Sequence, residues 1–406
     1  MRTSGIRSVL AVGVVDVASL AASAKRAGYD VYAVDYCGDQ DLEQNCIASL
    51  SLMSQMKVRS YAGLFGGSAP RGILRLAGDL ERTHKIDALL LSSGLDDSPD
   101  ILQALDDLAP ILGNAPNLIV KVRDKSNFFM QLEGLGIAFP RTVAAQDIEE
   151  VKSASRDLGF PVVLKPRGGF GGVGIRKASS QRELEDAFTS VHTLNRGVLV
   201  QEYVTGTHAS ASVIAVPGKA LTLAVTEQLL GIHDVGQLEP FGYCGNIVPL
   251  SAPMHVTERC GEVAEKVASQ LGLVGSNGVD LVVSQEGEPY VIEVNPRFQG
   301  TIECVERVLG LNVVDAHVNA CTERKLPPKI RKPSEFCMRL VLFAKKRSAV
   351  PDLSILEECR DVPQPGLALE KGEPLCSIVL EGHSRTVVLE KARRTYRSIY
   401  DSLFSN

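Results

Sequence analysis

LKPRGGFGGVGIRK, residues 164–177, contains five glycines between Gly168 and Gly174. The spacing from Gly169 to Gly174 matches G-x-G-x-x-G, the pattern of a dinucleotide-binding turn, and it follows the apolar run FPVVL. Five glycines lose much conformational freedom on folding, which argues against a purely structural hairpin tip. The pattern alone leaves three interpretations open, namely a dinucleotide turn, another phosphate-binding loop, and a loop that binds nothing.

The residues after the loop argue against the dinucleotide interpretation. A dinucleotide turn opens directly into a helix, whose N-terminus binds the pyrophosphate. Here the loop is followed by IRKA, and the next helical pattern begins near Ser180. No Gly-Lys-Ser or Gly-Lys-Thr follows either, so a Walker loop is also excluded. The sequence therefore predicts a loop between two strands, whose backbone N–H groups could fold over a nucleotide.

Bulk composition sets wider limits. The chain has 406 residues, 45% hydrophobic and 22% charged, which predicts a soluble protein of two or three domains. Its net charge of −5 provides no general attraction to nucleic acid or to an anionic membrane, and we expect neither as a partner. The nine cysteines include no C-x-x-C pair, which favours a reducing, cytoplasmic location.

Apolar periodicity divides the chain into three parts. Residues 1–118 alternate strand and helix patterns, which predicts an α/β domain with a parallel sheet. Residues 119–330 contain strands, helices and the glycine loop, as expected for an α+β domain. Residues 331–406 contain short strands, Pro-rich turns and a closing helix, which predicts a small β-rich domain. The first turn carries only Gly13, so we interpret Asp35, at the end of the second strand, as structural rather than ribose-binding.

Two lysines and a strand end accompany the loop. Lys165 lies just ahead of the glycines and Lys125 lies 40 residues earlier, and two such lysines could neutralise a polyphosphate. The strand VLVQEYV could present backbone groups of Glu202 to Val204 to a base edge. Taken singly, each lysine is equally consistent with a surface residue, and the strand with an ordinary strand end.

The segment 276–296, SNGVDLVVSQEGEPYVIEVNP, is typical of a hairpin and carries the strongest chemical signal. Glu293 and Asn295 lie on one face of its second strand, with Asp280 nearly opposite on the first. These hard oxygen ligands suit Mg²⁺, and polar groups buried among apolar neighbours need a partner. Arg297 follows on the same face, where it could contact an anionic intermediate.

In this order, the motifs resemble the ATP-grasp superfamily, which includes biotin carboxylase, carbamoyl-phosphate synthetase and D-alanine–D-alanine ligase. The resemblance spans about residues 1–325 and implies an ATP-grasp fold with an N-terminal Rossmann-like (pre-ATP-grasp) domain. It implies ATP and Mg²⁺ as cofactors, with Mn²⁺ as a permitted substitute. It assigns nucleotide binding to Lys125, Lys165, Gly169, Gly171, Gly172, Gly174, Gln201, Glu202, Tyr203 and Val204. It assigns the metal to Asp280, Glu293 and Asn295, and catalysis to Arg297 and Lys165.

The substrate side is less well marked. The resemblance makes Gln201 to Val204 the hinge that binds adenine. Many members place a Glu shortly after this hinge for the ribose, whereas this chain has His208. Gln299 stands where biotin carboxylase has a substrate-side glutamine, and Tyr243 and Asn246 are further substrate candidates. The segments TEQLLG, FGYCGNIVPL and EVNPRFQGT resemble archaeal-type carboxylate–amine ligases, such as the tyramine–glutamate ligase of methanofuran synthesis.

The resemblance implies an ATP-dependent carboxylate–amine (or carboxylate–thiol) ligase that forms an acyl phosphate, in small-molecule or cofactor biosynthesis. Its substrates would be a small carboxylate and an amine, and a homodimer is allowed. The first alternative is a biotin-carboxylase-like or bicarbonate-activating carboxylase, although no Met-Lys-Met biotinyl site is present. The second alternative is an ATP-binding protein without turnover.

Overall fold

A computed structural model describes residues 5–56, 61–64, 67–192, 197–328, 330 and 333–404. The predicted domain limits at residues 1, 331 and 406 lie outside these ranges. The described residues form a mixed α/β structure around three larger sheets, as the sequence predicts.

The N-terminal sheet is parallel, with the strand order β3-β2-β1-β4. Its strands are short apolar runs covered by helices on both faces, which is how a parallel sheet is buried. The strands are β1 (Ser8–Val12), β2 (Asp30–Asp35), β3 (Ala48–Ser51) and β4 (Ala88–Leu91). The helices are α1 (Val17–Arg26), α2 (Gln40–Asn45), α3 (Leu52–Gln55), α4 (Ala69–Glu81) and α5 (Pro99–Leu108), with a 3-10 turn at Tyr61–Gly63.

Two helices, α6 (Pro116–Arg123) and α7 (Lys125–Gly134), lead to an antiparallel sheet with its own small core. The strand order is β5-β8-β6-β7. The elements are β5 (Thr142–Ala145), α8 (Ile148–Leu158), β6 (Val162–Pro166), β7 (Arg176–Ala178), α9 (Gln181–His192) and β8 (Val198–Glu202). The glycine loop joins the paired strands β6 and β7, which confirms that a strand follows it.

The third sheet has eight strands in the order β13-β12-β9-β10-β11-β14-β18-β16. Its strands are β9 (Gly206–Val216), β10 (Lys219–Leu230), β11 (Tyr243–Val248), β12 (Gly275–Ser284), β13 (Pro289–Asn295), β14 (Phe336–Phe343), β16 (Cys359–Arg360) and β18 (Pro374–Gly382). A separate pair is formed by β15 (Ser348–Ala349) and β17 (Ala368–Leu369). The helices are α10 (Met254–Gln270), α11 (Ile302–Leu309), α12 (Val313–Glu323) and α13 (Arg385–Phe404), with a 3-10 turn at His233–Val235.

This sheet crosses the predicted limit at residue 330, because β11 pairs with β14. One hydrophobic core also combines residues of the N-terminal sheet, such as Leu10 and Val34, with Leu340 and Ile378 of the C-terminal strands. The first and last parts of the chain are therefore packed against each other. The domain limits themselves stay a prediction.

The closing helix α13 presents basic residues to solvent; Lys391, Arg393, Arg394 and Arg397 are exposed. Across the described residues, no helix combines the length and the apolar composition that crossing a membrane requires.

Candidate active site

The predicted site residues converge on one cavity of about 630 Å³. It is lined by the antiparallel sheet, the eight-stranded sheet and the carboxyl end of β2. Of the nucleotide, metal, catalytic and substrate residues predicted from the sequence, all except Gly174 line this cavity. Residues that lie up to 174 positions apart in the chain, such as Lys125 and Gln299, thus belong to one site.

The glycine lid, residues 167–175, lies against the segment that precedes β11. The N–H of Tyr243 donates to the carbonyl of Gly171 at 2.9 Å. The N–H of Gly174 donates to the carboxylate of Glu239 at 3.2 Å, and Glu239 lines the cavity. The lid backbone is thus held over the cavity by hydrogen bonds from the opposite wall.

The two predicted phosphate lysines differ in their pairing. Lys125 Nζ lies 2.5 Å from Glu293 Oε2. The ammonium group of Lys165 makes no hydrogen bond or ion pair with any part of the chain that the structure describes. Burial, together with the charge of Lys125, lowers the pKa of Lys165 to about 8. Of the two predicted phosphate lysines, Lys165 is therefore the one whose ammonium group is available to a ligand.

The predicted adenine hinge lies at the end of β8. Gln201 Nε2 donates to Thr142 Oγ1 at 2.8 Å, and the N–H of Tyr203 donates to a carbonyl at 3.2 Å. The N–H of Val204, by contrast, has no partner among the described residues, and Val204 lines the cavity. It can donate to an acceptor on a bound base, as an adenine edge provides.

The register of the β12–β13 hairpin builds the predicted metal end. Asp280 pairs directly with Glu293, and Gly278 pairs with Asn295, so the polar side chains share one face. Asn295 Nδ2 donates to Asp280 Oδ2 at 3.0 Å. The expectation that Asp280 lies opposite Glu293 is thus confirmed.

The surroundings of this hairpin shift the pKa values of its two carboxyl groups in opposite directions. Burial and the charge of Glu293 raise the pKa of Asp280. Burial acts in the same direction on Glu293, but the Lys125 and Arg123 charges outweigh it and hold the pKa of Glu293 well below its usual range. Glu293 is therefore ionised at neutral pH.

The donor set fits Mg²⁺. Two carboxylates and an amide oxygen from Asp280, Glu293 and Asn295 are hard oxygen ligands, and all three residues line the cavity. A cation here would favour the ionised form of Asp280, whose burial opposes ionisation in the protein alone. These residues would hold a divalent ion that also contacts nucleotide phosphates.

Comparison with known proteins agrees with this geometry. Residues 122–301 match the ATP-grasp domain family. This chain contains an ATP-grasp domain. The match begins just before Lys125 and ends just after Gln299, so it spans every predicted site residue. Members of this family are ATP-dependent ligases.

Curated relatives differ in how much of their length is matched. An uncharacterized protein of Methanocaldococcus jannaschii is 23% identical over 374 residues, which is 90% of this chain and 86% of that protein. The carbamoyl phosphate synthase large chain of Pseudomonas aeruginosa is 27% identical over 203 residues, which is 50% of this chain and 18% of that protein. The chain thus spans less than a fifth of the length of that synthase.

Solved structures with the ATP-grasp fold are similar to this chain over nearly its whole length. Biotin carboxylase of Campylobacter jejuni has a TM-score of 0.74 at 18% identity, covering 99% of this chain and 92% of that one. An L-amino acid ligase of Bacillus licheniformis has a TM-score of 0.70 at 16% identity, covering 98% of both chains. N5-carboxyaminoimidazole synthetase of Staphylococcus aureus, in complex with ADP, has a TM-score of 0.71 at 16% identity, covering 97% of both. At these identities the likeness concerns the fold.

Within the ATP-grasp domain, Arg297 is held firmly. Its Nε donates to Asp96 Oδ2 at 3.3 Å and one terminal nitrogen donates to Asn295 Oδ1 at 3.1 Å. Gln299 is held as well, since Ser210 and Ser212 bond its two side-chain polar atoms at 3.0 and 2.9 Å. Arg297 is thus fixed beside the predicted metal ligands.

The other substrate candidates form a buried chain of hydrogen bonds. Tyr243 Oη donates to Asn246 Oδ1 at 2.5 Å, and Asn246 Nδ2 donates to Thr226 Oγ1 at 2.7 Å. His208 also lines the cavity, and burial together with the charge of Lys165 lowers its pKa. A neutral His208 stands near the predicted phosphate lysine, Lys165.

Cys244 is fully buried, as expected for a structural thiol.

Sequence reasoning missed a cation at the lid. Arg123 binds both carboxylate oxygens of Asp97, at 2.8 and 3.0 Å, and donates to the carbonyl of Gly169 at 3.1 Å. Asp97 also accepts from the N–H of Gly169 at 2.7 Å. The pair ties the lid to the end of α6. Its only sequence signal was the position of Arg123 two residues before Lys125.

A second missed residue is Arg339, a lone charge in the apolar strand FCMRLVLF. It is 2% exposed, lines the cavity and donates to both Asp16 and Asp361. Burial opposes its charge, but the two carboxylates outweigh burial and raise its pKa. A charged residue at a buried strand position was the signal that could have identified it.

Proposed function

We propose that the protein is an ATP-dependent carboxylate–amine ligase. A substrate carboxylate oxygen attacks the γ-phosphorus of ATP, which gives an acyl phosphate and ADP. An amine then attacks the acyl carbon, the C–O bond to phosphate breaks, and the amine loses one proton. The products are an amide, ADP and phosphate.

The observation that supports this proposal best is the arrangement at one end of the cavity. The unpaired Lys165, the Asp280–Glu293–Asn295 ligand set and the anchored Arg297 all line one space. A protein that only binds ATP has no use for a fixed arginine beyond the metal ligands. The set thus favours turnover over binding alone.

Each residue has a role that its surroundings suit. Lys165 offsets charge on the transferred phosphate, and the N–H of Val204 donates a hydrogen bond to the base edge. When bound, Mg²⁺ supplies positive charge against the phosphate oxygens through Asp280, Glu293 and Asn295. Arg297 stabilises the anionic acyl phosphate, and the glycine lid excludes water that would hydrolyse it.

A second candidate is bicarbonate activation. The fold likeness to biotin carboxylase and to N5-carboxyaminoimidazole synthetase, at TM-scores of 0.74 and 0.71, favours this alternative. In that case bicarbonate would take the place of the substrate carboxylate. We prefer the amide-forming proposal, because an L-amino acid ligase has the same fold.

The experiment is a substrate-panel assay with the full chain, ATP and Mg²⁺. We expect ADP and phosphate release only when a carboxylate and an amine are present together. With an ¹⁸O-labelled carboxylate, one labelled oxygen should appear in the released phosphate, because the acyl C–O bond breaks. ADP release stimulated by bicarbonate alone would overturn the proposal in favour of the second candidate.

The tyramine–glutamate likeness, the homodimer and the cytoplasmic location stay predictions.

A further inference from the structure

The end of the cavity nearest the N-terminal sheet is lined by acidic side chains. Asp35 ends β2, Asp39 precedes α2, and Cys37 lies between them. A carboxylate oxygen of each aspartate and Sγ of Cys37 lie within 4.8 Å of one another. Asp35 is 3% exposed and Asp39 is 7% exposed. Two buried carboxylates thus stand side by side on the cavity wall.

The two aspartates differ in their partners. Both oxygens of Asp35 accept from the N–H of Gly38, at 3.0 and 3.2 Å. Asp39 does not cap the helix that it precedes, and its side chain has no hydrogen bond or ion pair within the described ranges. An ionisable group that is more than nine-tenths buried thus lines the cavity without a partner. Such a group is costly unless a ligand satisfies it.

The charges nearby do not neutralise this end. Among the described residues at this end, the buried cation is Arg339, which donates to Asp16 and Asp361 on the same cavity wall. Lys371 is also a lining residue, but it is exposed, and Glu373 stands close to it in the chain. This wall therefore holds four carboxylates, the buried Asp35 and Asp39 and the partly buried Asp16 and Asp361, against one buried guanidinium.

Burial raises the pKa of Asp35 to about 7 and raises that of Asp39 well above its usual value. Neighbouring carboxylates add to both shifts. The pair is therefore poised to bind either a proton or a cation at neutral pH.

We propose that Asp35 and Asp39 bind an ammonium group carried by one of the two substrates. The inference rests on the proposed ligase function, because the same cavity holds the phosphate lysine and the metal ligands. A metal ion suits this end less well. Burial and the two aspartates raise the pKa of the Cys37 thiol well above its usual value, whereas a metal requires the thiolate.

The chemistry of amide formation narrows the substrate further. An ammonium held by two carboxylates has no lone pair, so it is not the nitrogen that attacks the acyl carbon. The substrate must carry a second functional group that reaches the reacting centre. It is either a diamine with one free amine, or an amino acid whose carboxylate is activated.

The test measures binding to the full chain by isothermal titration calorimetry without ATP. The probes are 1,4-diaminobutane, L-ornithine and the neutral 1,4-butanediol, each up to about 10 mM, since a few hydrogen-bonded charges give millimolar or tighter affinity. We expect a cationic probe to bind, and Asp39→Asn to weaken its binding at least about tenfold. Binding of the diamine or of ornithine distinguishes the two substrate classes.

The substitution is mild, because asparagine has nearly the size of aspartate and the Asp39 side chain makes no hydrogen bond within the described ranges that could be lost. Asp107→Asn, at an exposed carboxylate in α5 outside the cavity, is the matched control and should bind like the unmodified chain. Equal binding by Asp39→Asn, binding of the diol alone, or no binding of either cation would overturn the inference. Zn²⁺ binding that Asp39→Asn abolishes, with no amine binding, would assign the site to a metal instead.

The outcome is separable from that of the proposed function. If the chain releases ADP with an acid and an uncharged amine, and Asp39→Asn leaves this rate unchanged, the ligase holds and the ammonium site fails. If a cationic probe binds but no substrate pair releases ADP, the site holds and the ligase fails.

Discussion

At the scale of single residues, neighbouring charges at the predicted nucleotide end shift each other's pKa values. Lys125 and Arg123 keep Glu293 ionised, and the charge of Lys125 adds to burial in lowering the pKa of Lys165 to about 8. The charge of Lys125 thus lowers the pKa of both Glu293 and Lys165. The consequences for metal binding and for nucleotide binding can be tested separately.

Glu293→Gln should abolish turnover while the chain stays folded. The substitution removes an ionised oxygen ligand, and loss of metal charge stabilisation is worth several kcal/mol, so ADP release should fall at least about a hundredfold. Glu286→Gln, at an exposed glutamate in the turn of the same hairpin, should leave the rate unchanged. Circular dichroism checks the fold, and unchanged turnover in Glu293→Gln would refute the metal assignment.

Nucleotide affinity should fall as the pH rises through about 8. Because its pKa is lowered to about 8, Lys165 is charged below that pH and neutral above it. A bound phosphate favours the charged form, so affinity should drop about tenfold for each pH unit above the transition. Lys165→Arg stays charged throughout and should lack this drop. Calorimetric titration with ADP at several pH values gives the comparison, and identical profiles would exclude Lys165 as the titrating group.

At the scale of elements, closure of the glycine lid requires one particular glycine. Gly171 and Gly172 both have positive φ, +69° and +74°, so alanine strains the backbone about equally at each, by about 1 kcal/mol. A Cβ on Gly172 would lie 1.9 Å from the carbonyl oxygen of Phe241, whereas one on Gly171 meets nothing within 4 Å. Only Gly172→Ala should therefore keep the lid from seating.

We expect Gly172→Ala to lower kcat/KM for ADP release at least about tenfold more than Gly171→Ala does. Limited proteolysis within 167–175 should show the same difference, with cleavage that ATP no longer suppresses in Gly172→Ala. Equal effects of the two substitutions would mean that backbone strain, rather than closure against Phe241, is what matters.

The β12–β13 hairpin shows how much of the site could be predicted from the sequence at the scale of elements. The turn at Gly287 and the alternation of the strands were enough to predict that Asp280 lies near Glu293. The register shifts by one residue between Asp280 and Leu281, and this bulge, which local spacing did not predict, brings Glu293 directly opposite Asp280. The lysines, lid and hinge also lie on short motifs that the resemblance orders along the chain. Arg123 lacked such a motif, because its role depends on the meeting of Asp97 with the lid.

At the scale of the molecule, Arg339 joins all three predicted parts of the chain. It donates to Ser19 Oγ at 2.6 Å and to the carbonyl of Gly300 at 3.0 Å, besides its bonds to Asp16 and Asp361. Asp16 and Arg339 are separated by 323 residues. No local pattern could predict this contact, since it depends on the continuation of the eight-stranded sheet from β11 into β14 beneath the N-terminal domain.

Arg339→Leu should therefore destabilise the whole chain. It leaves Asp16 and Asp361 without their buried cation, and breaking a buried ion pair from one side costs about 3–5 kcal/mol. Arg347→Leu is the control, because Arg347 pairs with Glu370 at 3.1 Å but the two side chains are 77% and 64% exposed, and such a pair is worth at most about 1 kcal/mol. Urea unfolding followed by circular dichroism measures both losses. Adding Asp361→Leu to Arg339→Leu should recover part of the loss, because it removes one of the stranded charges. Similar losses for the two arginines would show that the three parts are held together by their shared apolar core, with no special contribution from Arg339.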